Sequence, residues 1–379
     1  MRILLVSPFH GGSHQAWAEG LQAHCPADFE LLTLPDRFWK WRMHGGSVTL
    51  AERFNRSGPV PDLILATDML DLSHFLALTR RKTCYIPAVL YCHENQLTYP
   101  MPQNIMGNRL PERVEEIDRH YPFINLTSML AADRVIFNSA YHQEEFLKAL
   151  PAYLGQFPDY RLSNAIAEIS SKSSVIYPGI TIEHPNTPAE QTCGSPLVLW
   201  NQRMEYDKNP GEFFSALVEL KDEGYEFRLA VCGEQYTQRP EEVDSYLDML
   251  NPELVHMGYA DPGTYQELLR RADIVLSTAI HEFFGISILE AILNRTYPVL
   301  PGRLSYPELI PPEFHEFCLY KNRGEMFGLL KKALRNQARS AEVAGELRLA
   351  IGDRFRWETL ARQYEDFFAE TARNHTHRK

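Results

Sequence analysis

The chain carries two acids, Glu282 and Glu290, on either side of a glycine in His281-Glu-Phe-Phe-Gly285-Ile-Ser-Ile-Leu-Glu290-Ala291. The apolar stretch Ile274-Val-Leu-Ser-Thr278 precedes them, so the pattern predicts a strand, a short loop and then a helix. Gly285 permits a tight turn and lets backbone N–H groups come close to a ligand. A helix starting there, with Phe284 and Ile286 flanking the glycine, turns its positive end toward a bound diphosphate. Glu282 falls in the loop and Glu290 about one turn into the helix. The pair can hold hydroxyls on two parts of one long ligand, a sugar and a ribose. Read alone, they are equally a helix-start acid and a surface glutamate.

A second constellation, Asn201-Gln-Arg203-Met-Glu205-Tyr-Asp207-Lys208-Asn-Pro210, also follows a strand pattern, Leu197-Val-Leu-Trp200. Arg203 and Lys208 on one loop can stabilise a departing diphosphate, the electrostatic work that a metal does elsewhere. The competing reading pairs them with Glu205 or Asp207 on the surface. His93, in Tyr91-Cys-His93-Glu94-Asn95-Gln96, exits a third strand into a polar cluster and can bond a sugar hydroxyl or orient reacting groups. A structural histidine is the alternative. Gly11 and Gly12, after the first strand, offer a glycine turn at a helix start, though the run matches neither GxGxxG nor a Walker sequence. No Ser-His-Asp order, HExxH, CxxC or Asp-x-Asp pattern occurs. Metal-dependent hydrolysis therefore loses ground, and no metal or cofactor is expected.

These loops need a frame that delivers them from strand ends. Short apolar runs alternate with longer helical patterns, which favours parallel sheets covered on both faces. Strands are expected at Ile3–Val6, Leu63–Leu65, Ala88–Tyr91, Arg134–Phe137 and Ser174–Tyr177. A second series follows at Leu197–Leu199, Arg228–Val231, Leu254–His256, Ile274–Leu276 and Tyr297–Leu300. Helices are expected near Gln15–His24, Tyr265–Arg271, Ile286–Leu293, Glu325–Arg335 and Trp357–Thr371. Between the two series, 183–196 is polar and proline-rich and reads as a linker. The expected organisation is one Rossmann-like domain at 1–182, a second at 197–355, and a last helix with a basic tail at 356–379. Two doubly wound α/β domains facing across a cleft is the economical architecture.

At 379 residues, 44% hydrophobic and 23% charged, the chain can fill two cores. No apolar stretch approaches the ~20 residues of a membrane span, and the start reads as a strand rather than a leader, so a cytoplasmic location and no membrane partner are expected. Six scattered cysteines read as free thiols of a reducing compartment. A net charge of −11 argues against indiscriminate nucleic-acid binding but leaves room for a local basic surface. Arg37-Phe-Trp39-Lys40-Trp41-Arg42-Met-His44, Arg80-Arg-Lys82 and Arg373–Lys379 are the candidates, each with a solvated loop or chain end as its plainer reading.

The two glutamates around Gly285, together with Arg203 and Lys208, resemble the signature of retaining GT-B glycosyltransferases of the GT4 group. Val231-Cys-Gly233 resembles that group's middle strand, and Phe355-Arg-Trp357-Glu358 the entry to its returning helix. One departure is Asn201-Gln202 before the arginine, where a glycine is usual. Further runs extend the likeness over nearly the whole chain: Phe9-His-Gly-Gly-Ser-His14, Trp39-Lys-Trp-Arg42, His93-Glu-Asn-Gln-Leu-Thr-Tyr-Pro100 and Arg303-Leu-Ser-Tyr-Pro-Glu308. They resemble the glycosyltransferase-like family that includes tRNA-queuosine α-mannosyltransferase.

The resemblance implies a GDP-mannose donor, no further cofactor, and transfer of mannose to the cyclopentenediol of queuosine in tRNA(Asp). It implies that Arg203 and Lys208 hold the diphosphate with help from Gly11, Gly12 and the backbone of Phe284, Gly285 and Ile286. Glu282 would hold the hexose, Glu290 the ribose, and His93 the sugar near the reaction centre. Arg37, Trp39, Lys40, Trp41, Arg42 and Asn95 are the expected tRNA contacts, with the tryptophans as domain packing the alternative. Transfer to a lipid or small metabolite, nucleotide-sugar epimerisation, and a non-catalytic nucleotide-sugar or RNA-binding module remain open beside it.

Overall fold

The computed structural model describes residues 1–57, 59–100, 120–181, 194–233 and 241–376. The chain divides into two compact units, Met1–Gly179 with Phe355–Lys379, and Ile180–Arg354. Of the expected linker, the part up to Cys193 lies outside the described residues.

The first unit holds β1 (Arg2–His10), β2 (Asp28–Pro35), β3 (Leu63–Thr67), β4 (Ala88–Cys92), β5 (Arg134–Phe137) and β6 (Ser173–Val175). They pair in parallel in the order β2-β1-β3-β4-β5-β6. Helices α1 (Gly12–His24), α2 (Trp39–Ser57), α3 (Leu72–Thr83), α4 (His120–Ala131), α5 (Ala140–Leu154) and α6 (Ala165–Lys172) alternate with them. Both faces of this sheet are covered, which is why β3 and β4 read as unbroken apolar runs rather than alternating ones. One face packs Phe54, Phe75, Phe137 and Phe146, and the other packs Trp17, Tyr91, Trp357 and Tyr364.

The second unit holds β7 (Leu197–Trp200), β8 (Arg228–Cys232), β9 (Leu254–Gly258), β10 (Ile274–Leu276), β11 (Tyr297–Pro301) and β12 (Leu319–Tyr320). Its longer helices are α7 (Pro210–Asp222), α8 (Glu241–Met249), α9 (Pro262–Arg271), α10 (Ile286–Leu293), α11 (Arg323–Arg335) and α12 (Gln337–Ile351), with short helical turns at Tyr306–Leu309 and His315–Cys318. The order β12-β11-β10-β7-β8-β9 is that of a doubly wound sheet built outward from β7. It changes direction between β7 and β10, which pair directly through Val198↔Ile274. Ligands of such sheets bind beyond the strand C-termini at this switch.

The last helix, α13 (Trp357–Thr376), belongs to the first unit. Trp357 seats against Gly20 and Gly179, where an added Cβ would lie 2.5 and 2.2 Å from the indole. Trp17 Nε1 donates to the Tyr364 hydroxyl at 3.0 Å, and that hydroxyl donates to the Tyr177 carbonyl at 3.0 Å. No described helix is long and apolar enough to cross a membrane. The strand expected at Ser174–Tyr177 is shorter, ending at Val175. Cys25, Cys92, Cys232 and Cys318 are buried free thiols and Cys84 an exposed one, while Cys193 lies outside the described residues.

Candidate active site

The loops leaving β7 and β10 meet at the switch point of the second unit. Lys208 ends the short turn Tyr206–Lys208 after β7, and Glu282 sits in the loop after β10. The Lys208 ammonium donates to Glu282 Oε2 at 3.0 Å and to the His281 carbonyl at 3.1 Å, and lies 3.1 Å from Asp207 Oδ2. Burial works against this charge, but Glu282 and Asp207 more than offset it and hold the Lys208 pKa above its ordinary value. Arg203 pairs with Glu205 at 3.2 Å and stands close enough to Lys208 for their charges to oppose. The competing surface-pair reading is thus half right for the arginine, which is half exposed, and wrong for the lysine, which is buried.

The backbone N–H groups of Ile280 and His281 both reach the Asp207 carbonyl, at 2.9 and 3.2 Å, and lock the two loops together. Thr278 Oγ1 adds bonds to the carbonyls of Lys208 and Asn209 at 3.0 and 2.9 Å. His281 is buried against Phe283 and its pKa falls to about 4, through burial first and then Lys208, so the ring is neutral near pH 7. Gly285 takes a left-handed φ of 97° immediately before α10, and a Cβ there would come 3.3 Å from the Tyr306 ring. No side chain caps that helix start. The site thus places Phe284, Gly285 and Ile286 beside the Lys208–Glu282 pair.

Gln202, just before Arg203 where the resemblance has a glycine, turns its side chain inward. Ser277 Oγ donates to Gln202 Oε1 at 3.2 Å, and Gln202 Nε2 to the Tyr306 hydroxyl at 3.4 Å. The Trp200 indole N–H fixes the Gln202 carbonyl at 2.6 Å. Gly233 lies so close that an added Cβ would meet that carbonyl oxygen at 2.5 Å. Glu290, rather than facing solvent, accepts from the Tyr265 hydroxyl at 2.7 Å.

In the first unit, His93 follows β4. Its N–H donates to Asp68 Oδ1 at 2.8 Å, and its ring packs 4.1 Å from His14 and edge-on to Trp17 and Tyr91. Burial, then His14 and His142, hold its pKa well below the usual value, and Nε2 is buried without a hydrogen-bond partner. Asp68 is buried too. Desolvation first, then Glu94, raise its pKa well above normal, against the lowering effect of the His93 N–H bond. Asn95 is fully buried, and its Oδ1 caps the N–H groups of Leu97 and Thr98 at 3.0 and 2.8 Å. It forms a turn and is not a surface contact. Gly11 starts α1 against Asp36, whose carboxylate stands where a Cβ would point, and Gly12 has φ 51°. An anion at this helix start would have to move that acid aside.

Arg37 and Phe38 are exposed, Phe38 with a left-handed φ of 55°, and α2 begins at Trp39. Trp39 is half-buried 5.2 Å from the Tyr121 ring, with the Lys40 ammonium over both. Trp41 is 64% exposed and lies along its own helix at Gly45, while Arg42 Nε bonds the Pro35 carbonyl at 3.2 Å. The alternative reading, that the tryptophans pack the domain, therefore holds for Trp39 and not for Trp41. Arg80, Arg81 and Lys82 form the last turn of α3, where cations complement the helix dipole.

Sequence reading missed Tyr265, Tyr306, Ser277, Asp207 as an anchor, and Asp68. Tyr306 carried a signal as part of the Arg303–Glu308 run, and Asp207 as the alternative partner weighed for Lys208.

Residues 2–180 match the family described as tRNA-queuosine alpha-mannosyltransferase N-terminal, and residues 189–348 match Glycosyl transferases group 1. The chain is 31% identical to a Drosophila melanogaster tRNA-queuosine alpha-mannosyltransferase over 97% of its own length and 96% of that protein's. Among solved structures it resembles sucrose-phosphate synthase from Thermosynechococcus elongatus, with a TM-score of 0.70 at 16% identity and 98% of each chain covered. Anabaena Alr3699/HepE in complex with UDP gives 0.69 at 15% identity, covering 98% of this chain and 100% of that one. At such identities the two structures speak to the fold, which is GT-B.

Proposed function

The chain belongs to the tRNA-queuosine alpha-mannosyltransferase family, and on that premise we propose that it transfers mannose from GDP-mannose to the cyclopentenediol of queuosine in tRNA(Asp), with retention. One observation carries the chemistry: the Lys208–Glu282 ion pair joins the two sequence motifs at the switch point of the second sheet.

In this reading Arg203 and Lys208 neutralise the β-phosphate as it departs, together with the N-terminal turn of α10. Glu282 leaves Lys208 only part of its capacity and turns the rest toward the hexose hydroxyls, and Glu290 takes the ribose. The bond from the mannose anomeric carbon to the phosphate oxygen breaks on the face where the acceptor oxygen forms its own. The acceptor's proton passes to the departing phosphate, so no protein base is required. His93, neutral through burial, offers a hydrogen bond to a sugar hydroxyl without competing for that proton. The exposed start of α2, with Arg37, Phe38, Lys40, Trp41 and Arg42, supplies charge and aromatic faces of the kind that hold single-stranded RNA.

The test is direct. Purified protein is incubated with queuosine-containing tRNA and radiolabelled GDP-mannose, UDP-glucose or UDP-galactose in parallel. Label on the tRNA from GDP-mannose alone, and none on tRNA lacking queuosine, is the expected result. Release of label without any acceptor would point instead to hydrolysis or epimerisation, and inert queuosine tRNA would remove the acceptor assignment.

A further inference from the structure

Glu290 is not held by its own helix alone. Three elements meet in a hydrogen-bond relay that ends on its carboxylate: Asn201 at the exit of β7, Tyr265 on α9, and the first turn of α10. The Tyr265 hydroxyl donates to Glu290 Oε2 at 2.7 Å and accepts from Asn201 Nδ2 at 3.3 Å. The same Asn201 nitrogen donates to the Ser287 carbonyl at 2.6 Å, three residues before Glu290. Asp261 sets the start of α9 by capping Gly263 and Thr264, and this fixes where Tyr265 projects. Asn201 Oδ1 is buried and has no hydrogen-bond partner. A buried acceptor left open in this way is an anomaly in a finished core and ordinary in a ligand site.

We infer that Tyr265 and Asn201 are positioning residues that fix the Glu290 carboxylate and leave Glu290 Oε1 and Asn201 Oδ1 as paired acceptors for the vicinal hydroxyls of the donor's ribose. The inference rests on the assignment of Glu290 to the ribose. Hydrogen-bond direction runs one way along the relay. Burial, and then Glu290, push the Tyr265 phenol well above its ordinary pKa, so it keeps its proton and donates. Burial also raises the Glu290 pKa, and the phenol hydrogen bond opposes that rise, so the hydroxyl helps keep the carboxylate ionised and able to accept. The amide, anchored at Ser287, holds the phenol in line. Tyr265 touches no reacting atom in this arrangement; it acts through the acid.

Tyr265→Phe keeps the ring and removes only the donor. Binding of GDP, 2′-deoxy-GDP and 3′-deoxy-GDP to wild type and variant is compared by calorimetry. The wild type should prefer GDP to either deoxy form by about tenfold, and in the variant that preference should shrink to about twofold. Asn201→Ala should move in the same direction, which guards against a defect particular to the phenylalanine. Undiminished discrimination in both variants would overturn the inference while leaving Glu290 at the ribose. A wild type indifferent to both hydroxyls would overturn the ribose assignment and the relay with it. In turnover, Tyr265→Phe should raise KM for the donor with kcat nearly unchanged, and should shift the acid limb of kcat/KM to higher pH, which a packing defect would not do.

Discussion

In the proposed transfer, leaving-group stabilisation in the second unit falls to Lys208, a buried cation held between two acids. Lys208 is flanked by Asp207 and Glu282, with side chains 10, 1 and 17% exposed, so both acids depend on this one ammonium to offset their charge. Lys208→Ala leaves two desolvated acids facing each other, and should cost about 3 kcal/mol of stability in denaturant unfolding. Transfer should fall on the order of a hundredfold through loss of leaving-group stabilisation. Lys208→Arg, which keeps charge but brings a planar fork, should recover stability better than activity. His281 supplies a pH signature at the same place. Its pKa is lowered to about 4 in the fold. The unfolded chain therefore binds more protons between that value and roughly 6.5, and stability is lost as pH falls through this window. The loss attributable to this ring should reach at most about 3 kcal/mol near pH 4. It is read as the difference between wild type and His281→Asn in urea unfolding at pH 7 and pH 5, and equal slopes would contradict it.

Elements hold these side chains through close backbone approach, and here glycines are decisive. Gly233, at the end of β8, allows the Gln202 carbonyl within a distance that any Cβ would forbid. Gly233→Ala must push the 201–203 loop off its seat, and nucleotide affinity measured by calorimetry should fall at least about tenfold, a loss of 1.4 kcal/mol. Gly285→Ala meets both a left-handed φ and the Tyr306 ring, and should destabilise by about 1–2 kcal/mol. The strands that frame these loops were legible because a sheet covered on both faces writes itself as Leu-Ile-Leu-Ala-Thr or Ala-Val-Leu-Tyr-Cys. β2 was not, since at the sheet edge it mixes buried and half-buried residues over Asp28–Pro35. β12, two residues long, is too short for any pattern. α2 and α12 were among the helices that escaped, the first behind a basic aromatic start and the Gly45-Gly46 pair, the second because the apolar residues of Gln337–Ile351 are spread around the helix rather than gathered in one stripe. At the site, the spacing of Arg203, Lys208, Glu282 and Glu290 showed in the chain because two short segments, 203–208 and 282–290, carry all four. Tyr265 and Asp68 did not, because their roles arise only when distant segments meet.

For the whole molecule, the question is how a chain of net charge −11 receives a polyanion. A global field of that sign repels tRNA, so affinity must come from a few cations placed together and from stacking, which is indifferent to charge. The entry to α2 has both. Arg37 and Phe38 are exposed, Trp41 is 64% exposed, and Lys40 rides on the rings of Trp39 and Tyr121. Phe38 pairs 77% exposure with a left-handed backbone, a conformation that a bulky residue rarely adopts without a compensating role. Lys40→Ala with Arg42→Ala should weaken tRNA binding by about tenfold near physiological salt, and should flatten the dependence of log K on log salt by about 0.7–0.9 per lost contact. Phe38→Ala should weaken binding with no change in that slope, since stacking releases no counterions. Both variants should bind GDP as the wild type does, because these side chains belong to the first unit and Arg203 and Lys208, the pair proposed to hold the diphosphate, to the second. Filter binding across a salt series separates the two effects. Unchanged tRNA affinity in both variants would place the acceptor surface elsewhere, whereas a slope that falls with Phe38→Ala would mean the ring acts by holding Arg37 or Arg42 in place rather than by stacking.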